Sequence, residues 1–170
     1  MKKGYLILAA AAAVLLFLGA SRMAPPQEAE RSEESAPPNF VPVQMEIRSG
    51  GYLSGGVSLA LENGSIKISK TYRSASEDAS QTITPSPEAW KNFFDACNAL
   101  NIWNWQKSYV DPAIMDGHQW SVVLAYANKA IESSGSNSYP PSGQSIAKGR
   151  TAEFTAFCDA VNELVGEKIL

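Results

Sequence analysis

The chain has 170 residues and a formal charge of −3, with 14 basic residues, 17 acidic residues, one histidine and two cysteines. That length suits a single domain with extensions. A mildly acidic balance with no basic cluster argues against nucleic acid and anionic lipid surfaces as partners, and one histidine with two cysteines offers no metal-ligand spacing, so neither a metal nor a cofactor is expected.

Residues 1–21 read as a signal peptide or an N-terminal membrane anchor. Lys2 and Lys3 precede the uncharged run Gly4 to Ala20, and Gly19-Ala20-Ser21 supplies the small residues of a cleavage site. The run is near the lower limit for spanning a bilayer, so cleavage and retention both stay open, and both place the rest of the chain outside the cytoplasm, periplasmic or secreted. No cysteine stands where a lipoprotein signal needs one. Residues 22–39 carry Pro25-Pro26, Pro37-Pro38 and four glutamates. Low hydrophobicity with proline and charge predicts a disordered tether.

The predicted domain covers residues 40–170. Val41, Val43, Met45 and Ile47 alternate as a first strand, with Pro42 marking an edge or a strand start. Gly50-Gly51 and Gly55-Gly56 bracket an expected loop whose spacing is not that of a phosphate-binding fingerprint. Val57, Leu59 and Leu61, then Ile66 and Ile68, predict two strands joined by Asn63-Gly64, whose turn positions need φ > 0. Arg73 to Thr84 is polar and expected as a loop. Ser86-Pro87-Glu88 starts a helix, and Trp90, Phe93, Phe94, Cys97 and Leu100 form its core-facing stripe. Ile102, Trp103 and Trp105 are expected to cover a sheet edge, and Tyr109 to Ile114 to form a loop.

Asp116-Gly117 then opens the strongest hairpin signal in the chain. Trp120, Val122, Leu124 and Tyr126 share one face of a strand, and the small residues Ser121, Val123, Ala125 and Ala127 share the other. Small residues on the second face predict a central strand covered at least partly on both sides. Asn128-Lys129 reverses the chain, and Ala130 to Ser134 pairs back. Asn137 tolerates left-handed angles, and Tyr139 before Pro140 is forced to be extended. Thr151 caps a last helix with the stripe Phe154, Phe157, Cys158, Val161, Leu164 and Val165, ending at Gly166. The expected fold is therefore α+β. Its element order is βββαββα, with five antiparallel strands carrying two helices on one face. Trp90, Phe94, Trp120, Leu124, Phe154 and Phe157 should be buried together.

The stretch with Asp116-Gly117, His118, Trp120 and then Ser-Gly-Ser-Asn-x-Tyr-Pro resembles a pattern in small exported bacterial domains of unknown function, over about half of the predicted domain. The segment Arg48-Ser49-Gly50-Gly51, with a similar element order, more weakly resembles emfourin-type inhibitors of thermolysin-like metalloproteases. The second resemblance implies inhibition of an extracytoplasmic protease. It carries no residue role across.

No catalytic set is apparent. Ser145 and Lys148 match a Ser-x-x-Lys pair but sit in a polar loop without the partner motifs of penicillin-recognising enzymes. His118 is expected at a strand end on the surface, and Asp116 as a turn cap. A hydrolase would have to use His118 with a nucleophile such as Ser136 or Ser138. Cys97 and Cys158 lie on helix stripes in an exported chain. They are either bridged, which would contribute roughly 4 kcal/mol for a loop of about 60 residues, or buried as free thiols. The expected function is a non-catalytic binding or interaction module with an extracytoplasmic protein partner. Its membrane association would come only through an uncleaved N-terminal helix. Asn137, Tyr139 and Pro140 are the candidate binding residues. Tyr139 is expected first as a core residue whose hydroxyl finds a polar partner.

Overall fold

The computed structural model describes residues 39–51, 55–72 and 79–170, so the signal or anchor and nearly all of the tether lie outside the described residues. The described chain is α+β, with two helices and a mixed seven-stranded sheet. Strands β1 (Gln44–Gly51), β2 (Gly55–Glu62), β3 (Ser65–Thr71) and β4 (Ala79–Ile83) are followed by α1 (Pro87–Ala99). Then come β5 (Ser108–Val110), β6 (His118–Tyr126), β7 (Lys129–Ser136), β8 (Ser138–Tyr139), β9 (Gln144–Ser145) and α2 (Ala152–Val165). The sheet order is β4-β3-β2-β1-β6-β7-β5, and β8 pairs separately with β9.

The expected five antiparallel strands fall short in two places. The polar stretch expected as a loop at 73–84 forms β4 from Ala79 onward, an exposed edge strand antiparallel to β3. All its side chains but that of half-buried Ile83 face solvent, so no hydrophobic alternation announces it. The stretch from Tyr109 onward, also expected as a loop, contributes to β5. That strand pairs parallel with β7 and buries only Tyr109, too short a segment for periodicity. Strand one begins later than expected. Val43 is 73% exposed, because the alternation holds only from Met45 onward. The glycines expected to bracket a loop are paired strand residues, Gly50 opposite Gly56 and Gly51 opposite Gly55. Asn63 and Gly64 take the positive φ values of the expected hairpin turn, 52° and 81°. The β6–β7 turn is Ala127-Asn128, one residue earlier than expected, with Tyr126 opposite Lys129.

One face of the sheet holds the core. Met45 and Ile47 from β1, Leu59 from β2, Ile66 and Ile68 from β3, and Trp120, Val122 and Leu124 from β6 are all buried there. Each such residue contributes about 1.5–3 kcal/mol of burial. Both helices pack on this face. Helix α1 buries Trp90, Phe93 and Cys97, and α2 buries Phe154, Phe157, Cys158, Val161 and Leu164. Ser86 caps α1 by accepting from Ala89 N at 3.1 Å, and Thr151 caps α2 by accepting from Phe154 N at 3.1 Å. Gly166 ends α2 at φ 72°. Phe94 differs from its expected burial. It is half-buried, in a satellite cluster with Phe40 and Tyr126 at centroid distances of 5.6 and 4.9 Å.

No described element covers the opposite face. Register aligns Ser80, Ser69, Ser58, Arg48, Ser121, Ser134 and Ser108 in one row across all seven strands. The small face of β6 is thus half-buried because short side chains lie between neighbouring strands.

Candidate functional site

Four segments converge at the end of the sheet where β1 and β6 meet. Backbone parity puts Ser49 with Met45 and Ile47, and His118 with Trp120 and Val122, on the helix-bearing face. The register sets Ser49 opposite Trp120 and Gly51 opposite His118, so Ser49 and His118 are diagonal neighbours. Tyr139 arrives from β8. Arg150 arrives from the residue before the Thr151 cap, and Thr151 Oγ1 anchors that residue by donating to Pro140 O.

The floor of this corner is aromatic. Trp120 packs at a tilt against Phe154 at 4.9 Å and edge-on against Trp105 at 6.1 Å, and Tyr139 packs at a tilt on Phe154 at 4.9 Å. Gly135 makes room for the indole. A Cβ there would stand 2.1 Å from Trp120 Nε1, which instead donates to Ser138 O at 2.9 Å. Asn137 is fully buried at φ 57° and staples the turn before His118. Its Oδ1 accepts from His118 N at 2.8 Å, and its Nδ2 donates to Ile114 O at 2.9 Å. Its own N–H donates to His118 O at 2.9 Å, and its carbonyl accepts from Ile146 N at 2.7 Å.

His118 is half-buried and bonded through both ring nitrogens, more enclosed than the expected surface position. Its Nε2 lies 2.8 Å from Ser49 Oγ and 3.4 Å from Arg150 Nη2, and its Nδ1 lies 3.2 Å from Tyr139 Oη. A guanidinium only donates, so Nε2 is the acceptor and Nδ1 carries the proton that Tyr139 Oη receives; the tautomer is assigned from this inventory. Burial, then the charge of Arg150, lowers the His118 pKa to about 4, so the ring is neutral near pH 7. Burial raises the Tyr139 hydroxyl pKa, against an opposing pull from Arg150.

Arg150 lies over the Phe154 ring at 5.7 Å and reaches Cys158 Sγ from Nη1 at 3.7 Å. No carboxylate pairs with it among the described ion pairs. A cavity of about 370 Å³ opens beside it, with Lys70, His118, Arg150, Lys168 and Leu170 in its wall and, among the described residues, no aspartate or glutamate side chain. Lys70 is answered from outside the wall by Glu167 at 2.9 Å. On the opposite face a shallow hollow of about 440 Å³ runs along Arg48, Ser58, Gln119 and Ser121, and Arg48 there pairs with Glu46. The His118 corner carries the denser chemistry, and it is the candidate site.

Of the residues expected at a site, Asn137 and Tyr139 meet His118, whereas Pro140 is buried and holds Thr151 through its carbonyl. The hydroxyl that reaches His118 is that of Ser49. Ser136 Oγ accepts from Gln119 Nε2 at 2.9 Å, and Ser138 is buried below the Trp120 indole. Cys97 and Cys158 are free, buried thiols, with burial pushing them up to about 12 and about 11. Ser145 caps a short turn by accepting from Ala147 N at 3.2 Å and makes no pair with Lys148. No group of three or more His, Cys, Asp or Glu residues that could hold a metal occurs among the described residues. Ser49 and Arg150 were missed as site residues. The parity of β1 marks the face of Ser49, but nothing local in the sequence marks β6 as its neighbour. No protein-family model matches the chain, and no curated protein matches it.

Proposed function

We propose that this chain is an extracytoplasmic, non-catalytic binding module whose ligand surface is the corner formed by Ser49, His118, Tyr139 and Arg150. The observation that carries this reading is the setting of His118. Its Nδ1 faces a phenol in place of a carboxylate, and its Nε2 faces a guanidinium. A general base works best with a pKa near the operating pH, and an orienting carboxylate would stabilise its imidazolium. Here burial and Arg150 act the other way. Such a ring is fixed and neutral, and it holds Ser49, Tyr139 and Arg150 in place around the cavity, which suits recognition. Ser49 and Gly50, from the segment Arg48-Ser49-Gly50-Gly51 on which the resemblance to metalloprotease inhibitors rests, line the cavity of this corner. An extracytoplasmic protease is therefore the specific partner we favour.

Cross-linking the full-length chain in the intact cell envelope tests the reading. A protein partner captured by wild type and lost with Ser49→Trp, at unchanged melting temperature, supports it. Equal capture by both would move the binding surface elsewhere. One observation favours a second reading, a small hydrolase: the 2.8 Å approach of Ser49 Oγ to His118 Nε2. Activated-ester hydrolysis that disappears in both Ser49→Ala and His118→Ala would establish that reading over the first.

A further inference from the structure

We propose that the cavity beside His118 is a carboxylate-binding site in which the Arg150 guanidinium and the Lys168 ammonium receive the anion and Ser49 and His118 frame it from the strand side. This rests on the reading of the same corner as a binding surface and names the chemistry of what binds there. Among the described residues the wall carries three cationic side chains and no acidic side chain; Leu170 also lines it without its carboxylate entering an ion pair, and only Lys70 has a carboxylate partner. Arg150 and Lys168 make no ion pair among the described residues.

Arg150 is also held in place. Phe154 supports its guanidinium plane from one side, and Nη1 and Nη2 each spend one N–H, on Cys158 Sγ and His118 Nε2. A third N–H is directed to the Tyr139 hydroxyl, which leaves two of the five donors for a planar two-oxygen acceptor, the geometry a carboxylate offers. A guanidinium already ordered by its neighbours loses less freedom on binding than a free one. The cavity volume, about 370 Å³, falls within the small-ligand range. Val57 and Ile169 add apolar wall for the body of an organic acid. The carboxylate has two sources, a small organic acid or an acidic side chain or terminus of a protein partner, and both present the same group.

The single histidine is the reporter. The full-length protein, labelled at its His ring carbons and held in detergent micelles, is titrated with pH by NMR in chloride, succinate, phosphate or an acetylated dipeptide ending in leucine, at matched ionic strength. The groups facing the ring are Ser49, Tyr139 and Arg150, with Lys70 and Lys168 across the cavity. A bound carboxylate offsets the charge of Arg150, so the His118 pKa should rise from about 4, by roughly one unit. Arg150→Gln should abolish the response to carboxylates, and Lys168→Gln, at an exposed position, should weaken it several-fold. A response to succinate alone assigns a small acid, and one to the peptide alone assigns a protein terminus; either supports the proposal. Equal shifts in chloride, a response to phosphate without one to carboxylates, or a response that survives both substitutions overturns it. Envelope capture that persists in Arg150→Gln, with no carboxylate response, would overturn this inference while leaving the binding-module reading standing.

Discussion

Replacing Asn137 tests how the corner is held. Its side chain makes two bonds, to His118 N at 2.8 Å and to Ile114 O at 2.9 Å, at a position with no solvent exposure. Asn137→Ala removes both and leaves an N–H and a carbonyl without their partner. Each loss costs about 1 kcal/mol, more where water does not reach the orphan. The backbone is left-handed at φ 57°, and alanine there adds about 1 kcal/mol that asparagine largely escapes. The expected loss is about 3–4 kcal/mol, a large share of the ~5–15 kcal/mol available to a domain. Asn137→Gly keeps the backbone at ease and loses only the bonds, so about 2 kcal/mol is expected. Urea unfolding followed by tryptophan fluorescence measures both, with the slope checked for constancy. A loss within about 0.5 kcal/mol for alanine would refute the staple, since that is the range of an unengaged surface substitution. Equal losses for alanine and glycine would refute the backbone part of the reasoning. His118 ring signals in the glycine variant should also broaden or shift, because the same amide fixes the residue that carries the ring.

Three further outcomes are expected. Tyr126 Oη is buried without a hydrogen-bond partner among the described residues, so Tyr126→Phe should be neutral or stabilising by up to about 1 kcal/mol in the same unfolding assay; a loss above that would reveal a partner for the hydroxyl. Cys97 and Cys158 should resist a disulfide exchange reagent at pH 8 and react at the rate of unfolding, because burial holds both thiols protonated; immediate reaction of either in the folded protein would contradict its placement. The His118 pKa falls from 6.5 to about 4 on folding, so the unfolded chain binds that proton first. Its contribution to stability is therefore full above about pH 6.5 and is lost as pH falls towards about 4. His118→Gln should flatten that part of the stability curve, and an unchanged slope would count against the assigned burial.

The fold was legible where side chains alternate or repeat against a core. Both helices follow from Ser86-Pro87 and Thr151 as caps and from aromatic stripes. The β6–β7 hairpin follows from Trp120 to Tyr126, and Trp120, Trp90, Leu124, Phe154 and Phe157 are buried as their spacing requires. What escaped was structure held by the backbone alone. Strand β4 exposes nearly all of its side chains, and β5 commits a single residue to the core. Their hydrogen bonds depend on a neighbouring edge being available, which composition does not encode. Gly50 and Gly56 misled for the opposite reason. A Cβ on Gly50 would stand 2.7 Å from Gly55 O and from Gly56 Cα, so these glycines permit close strand approach where a loop was expected.

The site was legible in pieces and illegible as a whole. Asn137 and Tyr139 stood out because αL tolerance and the residue-before-proline rule are local facts, and His118 stood out by being alone. Ser49 and Arg150 carry no such mark. Ser49 comes within 2.8 Å of His118 only because β1, the first strand, inserts beside β6, which lies 69 residues further on. Sequence parity says which face each residue takes, but not which strand stands beside it. Arg150 is placed by yet another event, the capping of α2 by Thr151 and its bond to Pro140 O. The chemistry of the corner therefore depends on two non-local choices made by the fold, the pairing of β1 with β6 and the bond of Thr151 to Pro140 O. Its charge follows from those choices too, since packing on Phe154 and the bond to the neutral His118 ring hold the Arg150 guanidinium at the cavity.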